Sequence, residues 1–260
     1  MKRDLILLFV AFHPLQDEVE QLAACLSCLP PQIGYAMAIN DYCPGEAVEQ
    51  LTKGADHFLC NSDNPGYGRA VNRLVSSLDE IPDYLGILNT DLSWCSGTFE
   101  TILLWMQNNS DVSLAVPQIL DPLGEPQKLC KQSPTVLGLF SRRFVPEVLK
   151  PSCLKRYDRW YVMDQFDYQN IFEVPYLSGC CMVVRSESFL QVGGFDERYF
   201  LYLEDADLTR ALAYQGRCLH FPEVSVVHQW GKGNYQKFSL MIINIISAWR
   251  YFAKWGWKLW

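Results

Sequence analysis

Three groups of residues have types and spacings that could do chemistry. The first is acidic: Glu204-Asp205-Ala206-Asp207, set among Tyr199, Phe200, Tyr202 and Leu203 at the head of a helical pattern. Carboxylates in the first turn of a helix favour its dipole, and that alone accounts for acidic residues there. The functional reading is a general base beside apolar walls that limit water. The second group is Asn89-Thr90-Asp91, after the apolar run 84–88. Asp91 could cap the following helix. It could equally hold a divalent cation through oxygen, with diphosphate and water completing the shell, as hard cations prefer. The third is His228, at the end of the strand-like run 224–228. It reads either as a core histidine satisfied by hydrogen bonds or as a further ligand to the same cation. Each reading stays open at this level.

The elements that must position these groups follow from hydrophobic pattern. Apolar runs at 5–12, 35–39, 57–59, 84–88 and 112–116 alternate with helical patterns at 17–29, 47–53, 69–78 and 98–108. Strands alternating with helices of about ten residues argue for βαβ units and a mainly parallel sheet. Ligands of such open sheets bind beyond the carboxyl ends of the strands. That makes suspects of Asp41, the Gly-rich turn 64–72 and Asn89–Asp91. Residues 117–172 read as irregular and rich in Pro, Lys, Arg and aromatics, the composition of a lid or binding loop. Order returns in a strand over 174–184, the turn Gly193-Gly194, the acidic helix to about 214, and the run 224–228.

Composition excludes several classes. The chain has 260 residues, 49% hydrophobic and 20% charged, the balance of a globular protein with a sizeable core. A net charge of −7 and the lack of any long Lys/Arg run argue against a nucleic-acid partner. Residues 1–12 have a positive start, but the apolar stretch ends at His13-Pro14 with no cleavage pattern, so it reads as a buried strand and not a signal peptide. The ten cysteines, including the Cys25/Cys28 pair and Cys180-Cys181, then read as reduced cytosolic thiols. Residues 237–260 interleave Trp, Tyr, Phe and Ile with Lys237, Arg250, Lys254 and Lys258. Asn244, Ser247 and Arg250 break the run, so it cannot span a bilayer. It reads as an amphipathic helix that either packs on the domain or meets the membrane–water interface, with 255–260 as the part nearest lipid. Two units follow, 1–235 and 236–260.

The order of the motifs adds a resemblance. Asn64-Pro-Gly-Tyr-Gly-Arg-Ala-Val-Asn72, Ile87-Leu-Asn-Thr-Asp-Leu92, Tyr176-Leu-Ser-Gly-Cys-Cys-Met-Val-Val-Arg185, Gly193-Gly-Phe-Asp-Glu…Phe200…Glu204-Asp-Ala-Asp-Leu208 and Val226-Val-His228 run in register with family 2 glycosyltransferases. Within them, the chain resembles the rhamnosyltransferase-like branch that builds bacterial surface polysaccharides. The resemblance implies a GT-A, Rossmann-like α/β fold and an inverting transfer from a nucleotide-sugar donor to a glycan or lipid-linked glycan. The implied donor is dTDP-L-rhamnose, with a UDP-hexose as the alternative; a non-catalytic nucleotide-sugar-binding assembly protein is the competing class. Asp41 would contact the nucleobase or ribose, with Asn89 also at the donor. Asn64 and Asn72 would shape the donor pocket, while Gly66 and Gly68 let the backbone pass close to it. Asp91 and His228 would hold Mg2+ or Mn2+, and Asp205, with Glu204 beside it, would deprotonate the acceptor. The implied location is cytoplasmic, with peripheral contact at the inner membrane face. Three departures stand out: Phe12-His13-Pro14 where many relatives carry a Tyr-Asn or similar pair, Asn40-Asp41-Tyr42 where Asp-Asn-x-Ser is common, and one carboxylate at Asp91 where others carry two.

Overall fold

A strand covered on both faces has no polar side, so continuous apolar runs set the central strands. β1 (Leu5–Ala11) is buried over almost its whole length. β2 (Ile33–Ile39) pairs with it in parallel from Leu5↔Ile33 to Ala11↔Ile39. β3 (His57–Cys60) joins beyond β2, and β4 (Tyr84–Leu88) joins on the other side of β1, both again parallel. Helices α1 (Gln16–Ser27), α2 (Glu49–Thr52) and α3 (Tyr67–Ser76) lie in the connections between them. The order of strands therefore reverses at β1, and the loops after β1, β2 and β4 open at one edge.

The computed structural model describes residues 3–229 and 238–260. Its second half contains β5 (Leu92–Trp94), α4 (Thr98–Asn108), β6 (Val112–Leu120), α5 (Val136–Phe144), a 3-10 turn at Glu147–Leu149 and α6 (Ser152–Tyr161). Then come β7 (Phe172–Glu173), β8 (Cys181–Arg185), α7 (Ser186–Gln191), α8 (Glu204–Leu212), β9 (Arg217–His228) and α9 (Phe238–Trp255). Among the described residues one nine-stranded sheet runs β3-β2-β1-β4-β8-β6-β9-β5, with β7 on β9. Only β8, β5 and β7 run against the other six strands. The mainly parallel α/β sheet flanked by helices is the expected one.

Three sequence expectations need correction. Residues 117–172 are not one irregular stretch: β6 continues to Leu120, and α5 and α6 occupy much of the rest. Their arginines, lysines and flanking prolines mask short helices whose apolar faces are narrow; Thr135 caps α5 through Gly138 N–H. Of the strand expected over 174–184 only the end forms one, as β8, because Gly179-Cys180 turns the chain just before it; β7 lies ahead of the expected range. β9 begins seven residues before the run at 224–228, since its first half pairs with β6 and is buried on both sides. All ten cysteines are free.

α9 packs on the body of the protein. Tyr251 and Phe252 enter a second apolar cluster with Tyr176, Tyr199, Leu203 and Ala206, against which Val136, Leu139, Ala248 and Trp255 pack. Asp207, 2% exposed, anchors it. Its carboxylate accepts from Lys254 Nζ at 2.7 Å, Trp255 Nε1 at 2.6 Å and the Tyr199 hydroxyl at 3.2 Å. The carbonyls of Lys258 and Leu259 accept from Val136 and Leu137 N–H at the start of α5. Residues 255–260 are thus tied down at several points, although Trp257 and Trp260 remain exposed. The boundary drawn at 235, and Lys237, lie outside the described residues. No described helix is long and apolar enough to cross a membrane.

Breaking a buried ion pair from one side strands its partners without solvent. Asp207→Ala is expected to lower unfolding stability in urea by about 3 kcal/mol. A loss below about 1 kcal/mol, the range of a surface pair, would show that α9 is held by apolar contact alone.

Candidate active site

Asp41 follows β2 in a left-handed conformation (φ 54°), which an aspartate tolerates better than most residues. Its Oδ2 lies 3.1 Å from His13 Nε2, at the end of the neighbouring strand. His13 Nδ1 meets Glu46, and the hydrogen bonds to Glu46 and then Asp41 raise the His13 pKa above its ordinary value. Behind this trio, Asn64 Oδ1 accepts from Gly66 N–H at 3.0 Å and from Asn40 Nδ2 at 3.3 Å. Asn61 Nδ2 donates to Asn40 Oδ1 at 2.8 Å, and Arg73 donates to Asn61 at 3.0 Å. His13, which stands out in sequence only as a departure, is therefore a direct neighbour of Asp41.

Gly66, Gly68 and Asn72 contact the chain itself. A Cβ on Gly66 (φ 92°) would fall 2.5 Å from the Phe200 carbonyl oxygen, and one on Gly68 2.8 Å from Phe195 Cβ. Asn72 donates to the Phe195 carbonyl at 2.8 Å and accepts from Phe195 N–H at 2.9 Å. The expectation that these glycines bring backbone close to a donor meets a different close approach here. They and Asn72 seat the 193–200 segment that leads into the acidic helix.

Asp91 and His228 face each other across β5 and β9, whose pairing sets Leu92 opposite His228. Asp91 is followed by a strand and α4 begins only at Thr98, so the helix-cap reading of Asp91 falls away. Asp91 Oδ2 is 3.2 Å from His228 Nε2, and its Oδ1 is buried with no partner. His228 Nδ1 lies 3.2 Å from Gln127 Oε1, while Gln127 Nε2 donates to the His228 carbonyl at 3.1 Å. The amide is thereby oriented, its oxygen can only accept, and Nδ1 carries the proton. Nε2 is left on the Asp91 side, the arrangement by which an outer amide prepares an imidazole for a metal. Among the described residues there is no group of three or more His, Cys, Asp or Glu placed to hold a metal ion. A carboxylate with an orphaned buried oxygen and one imidazole nitrogen nonetheless fit Mg2+ or Mn2+ if substrate phosphate and water supply the remaining oxygens. Gln127 is missed from sequence because it sits in the segment read as irregular.

Glu204 and Asp205 open α8 after two consecutive residues in the left-handed region, Tyr202 (φ 70°) and Leu203 (φ 65°). Strain of that kind in bulky residues persists only where the surroundings hold it. Asp205 Oδ2 accepts from Gly179 N–H at 3.0 Å, and Oδ1 from Ala206 N–H at 2.9 Å. On the same turn, the Cys180 carbonyl accepts from Asn89 N–H at 2.9 Å. The turn 178–180 therefore joins the strand end that carries Asp91 to the helix start that carries Asp205. Glu204 is buried, its Oε2 has no partner, and burial followed by the Asp205 charge pushes its pKa up to about 8. Burial and the neighbouring Asp205 charge both favour the protonated form of Glu204 over the ionised one.

Lys131 is a further residue the sequence does not nominate. Its backbone exchanges hydrogen bonds with Tyr176 at 3.0 and 3.1 Å, and its Nζ stands 4.3 Å over the Tyr176 ring. Desolvation lowers its pKa and the Asp205 charge opposes that shift. Burial, with Asp205 next, pushes the Tyr176 hydroxyl well up. A cation and a phenol thus share the surroundings of Asp205.

The sheet order with its flanking helices is that of a GT-A fold, and the comparisons agree. The chain is 32% identical over 201 residues to the N-acetylglucosaminyl-diphospho-decaprenol L-rhamnosyltransferase of Mycobacterium tuberculosis, covering 73% of this chain and 63% of that protein. It is 36% identical over 83 residues to rhamnosyltransferase WbbL of Escherichia coli, covering 31% of each. Among solved structures, a mannosyltransferase of Pyrobaculum calidifontis in complex with GDP-Man and Mn2+ superposes with a TM-score of 0.65 at 14% identity, over 98% of this chain and 64% of that one. GalNAc-T7 with UDP, GalNAc and Mn2+ gives 0.69 at 12% identity, over 98% and 48%. These two likenesses show the fold. No family model matches the chain. The chain is thus similar to rhamnosyltransferases over the matched 201 residues, and it spans 63% of the length of the mycobacterial relative.

Glu204 gives the site a pH signature. Its folded pKa lies above the ordinary glutamate value, so the folded state binds more protons than the unfolded one between about pH 5 and pH 8, and stability falls as pH rises through that window. Glu204→Gln is expected to flatten that slope, seen as a smaller drop in thermal midpoint from pH 5 to pH 8 than in the parent. Parallel profiles for the two proteins would show that Glu204 is ionised when folded.

Proposed function

We propose that this chain is an inverting, metal-dependent glycosyltransferase that moves L-rhamnose from dTDP-L-rhamnose to a hydroxyl of a lipid-linked bacterial glycan. The observation that carries the reading is the turn 178–180, which ties the Asp91–His228 pair and Asp205 to the two sides of one short backbone segment. A transfer needs both: charge compensation where the diphosphate leaves and a base where the acceptor arrives. The choice of rhamnose and of a lipid-linked acceptor is supported by what the mycobacterial relative is named for.

Each residue has a distinct task. Asp41, held by His13, contacts the nucleobase or ribose, with Asn64 and Asn89 lining the same edge. Asp91 and His228 would hold Mg2+ or Mn2+, which would supply charge compensation for the donor diphosphate. Asp205 takes the proton of the acceptor hydroxyl as that oxygen bonds to the anomeric carbon. The bond from carbon to diphosphate oxygen breaks in the same displacement, its electron pair leaves with the nucleoside diphosphate, and configuration inverts. Glu204, kept neutral by burial, lends no second negative charge to the site. Lys131 and Tyr176 supply a positive edge and a hydroxyl beside the base.

One paired experiment tests the division of labour. Asp205→Asn keeps size and hydrogen bonding but removes the base, so turnover should fall roughly 10²–10⁴-fold with donor affinity unchanged. Asp91→Ala should lose the gain in donor affinity that Mn2+ gives the parent, while the two bind alike in EDTA. Retained turnover in Asp205→Asn, or equal affinity of Asp91→Ala and parent with Mn2+, would contradict the respective assignment.

A further inference from the structure

Between Lys131 and β7 the chain forms a hairpin of α5 and α6 whose chemistry the transfer reaction does not use. Its base is tightly fitted to the body of the protein. Gln132 N–H donates to the Tyr161 carbonyl at 2.8 Å, and a Cβ on Gly138 would fall 2.7 Å from the Tyr161 ring. Its tip is the reverse: Val148 is 88% exposed, Leu149 71% and Phe144 43%. A cluster of large apolar side chains held in water by an ordered turn marks a surface meant to be covered. Charge says by what. Residues 136–161 carry six Lys or Arg against two carboxylates, in a chain whose net charge is −7. Arg142, Lys150, Lys155 and Arg159 line a cleft of about 490 Å³ behind the tip. The two carboxylates there, Glu147 and Asp158, pair with the nearly buried Lys150 at 3.1 and 2.6 Å, and Glu147 also meets Lys155 at 4.0 Å, which leaves Arg156 and Arg159 as exposed cations of α6.

We propose that this hairpin docks the protein on an anionic bilayer, with Val148, Leu149 and Phe144 entering the headgroup region and the surrounding cations meeting lipid phosphate. Apolar side chains beside a basic face are what such a surface selects, and anionic lipid offsets the repulsion of an acidic protein only where positive charge is concentrated. α9 also exposes an apolar row, Ile242, Ile245, Ile246 and Trp249. Its Arg250 and Lys254, however, are bound to the Arg198 carbonyl, Asp196 and Asp207, so the positive charge of that helix is turned toward the protein. The hairpin connects directly to Lys131 and thus to the acceptor side of the site. The proposal rests on the glycosyltransferase reading for its purpose, a lipid-linked acceptor, and not for its evidence.

The test is sedimentation of the full chain with phosphatidylcholine vesicles that contain or lack phosphatidylglycerol, at low and high salt. The parent should bind only the phosphatidylglycerol vesicles and release at high salt. Arg156→Glu with Arg159→Glu should weaken partitioning roughly 25-fold or more, at about fivefold per cation. Val148→Asp with Leu149→Asp should weaken it comparably, and the thermal midpoints of both should match the parent, since these side chains are exposed. Equal binding to neutral vesicles, parent-like binding by both hairpin variants, or loss only in Ile245→Asp with Trp249→Asp would overturn the proposal. Vesicle binding without turnover of any nucleotide sugar would contradict the proposed activity alone; turnover without vesicle binding would contradict the docking alone.

Discussion

The site depends on the backbone of one turn. Gly179 donates its N–H to Asp205, and Cys180 offers its carbonyl to Asn89, so residues from two distant parts of the chain are fixed by the backbones of adjacent residues. Peptide hydrogen bonds suit this task because the backbone has few soft dihedrals, whereas a side chain would add its own rotamers. Gly179 is needed for a second reason: Asp205 packs so closely that a Cβ there would meet its Cβ at 3.0 Å. The turn leads directly into β8, which lies between β4 and β6 in the sheet.

Around that turn the protein places charge unevenly. Glu204 and Asp205 are neighbours in sequence, yet one is buried with an oxygen that has no partner and the other is fixed by two backbone N–H groups. Environment pushes their proton affinities apart, the general way a pair of carboxylates is divided between roles. The left-handed pair Tyr202-Leu203 aims both side chains, and the cost of that strain is offset by packing from Tyr199, Tyr251 and Phe252 beneath. The same helix turn sends Asp207 the other way, into the ion pair with Lys254. A single acidic cluster thus serves the site on one face and the anchorage of α9 on the other.

Much of this was legible in the sequence. β4 and α4 fall where hydrophobic pattern puts them, because a fully apolar run of five and an eleven-residue helix leave little ambiguity. The motifs place Asp91, His228, Glu204 and Asp205 in one region, and the sheet order brings them there. What escaped was set by tertiary contact. Gln127 and Lys131 lie in a segment with no periodicity, and only the pairing with Tyr176 and His228 gives them a place. Gly66, Gly68 and Asn72 also seat Phe195 and Phe200, contacts that no local pattern announces. The C-terminal aromatics divide between core and solvent by contacts to Asp207 and α5 that no local pattern encodes.

The most direct measurement is the turnover of Gly179→Ala against its affinity for donor with Mn2+. Gly179 needs no left-handed backbone, so alanine adds only a methyl group against Asp205. If the turn sets the base, kcat should fall at least roughly tenfold while donor affinity and thermal midpoint stay near those of the parent, a displacement of the base without loss of the site. A kcat equal to that of the parent, or a loss confined to donor binding, would contradict the central place given to this turn.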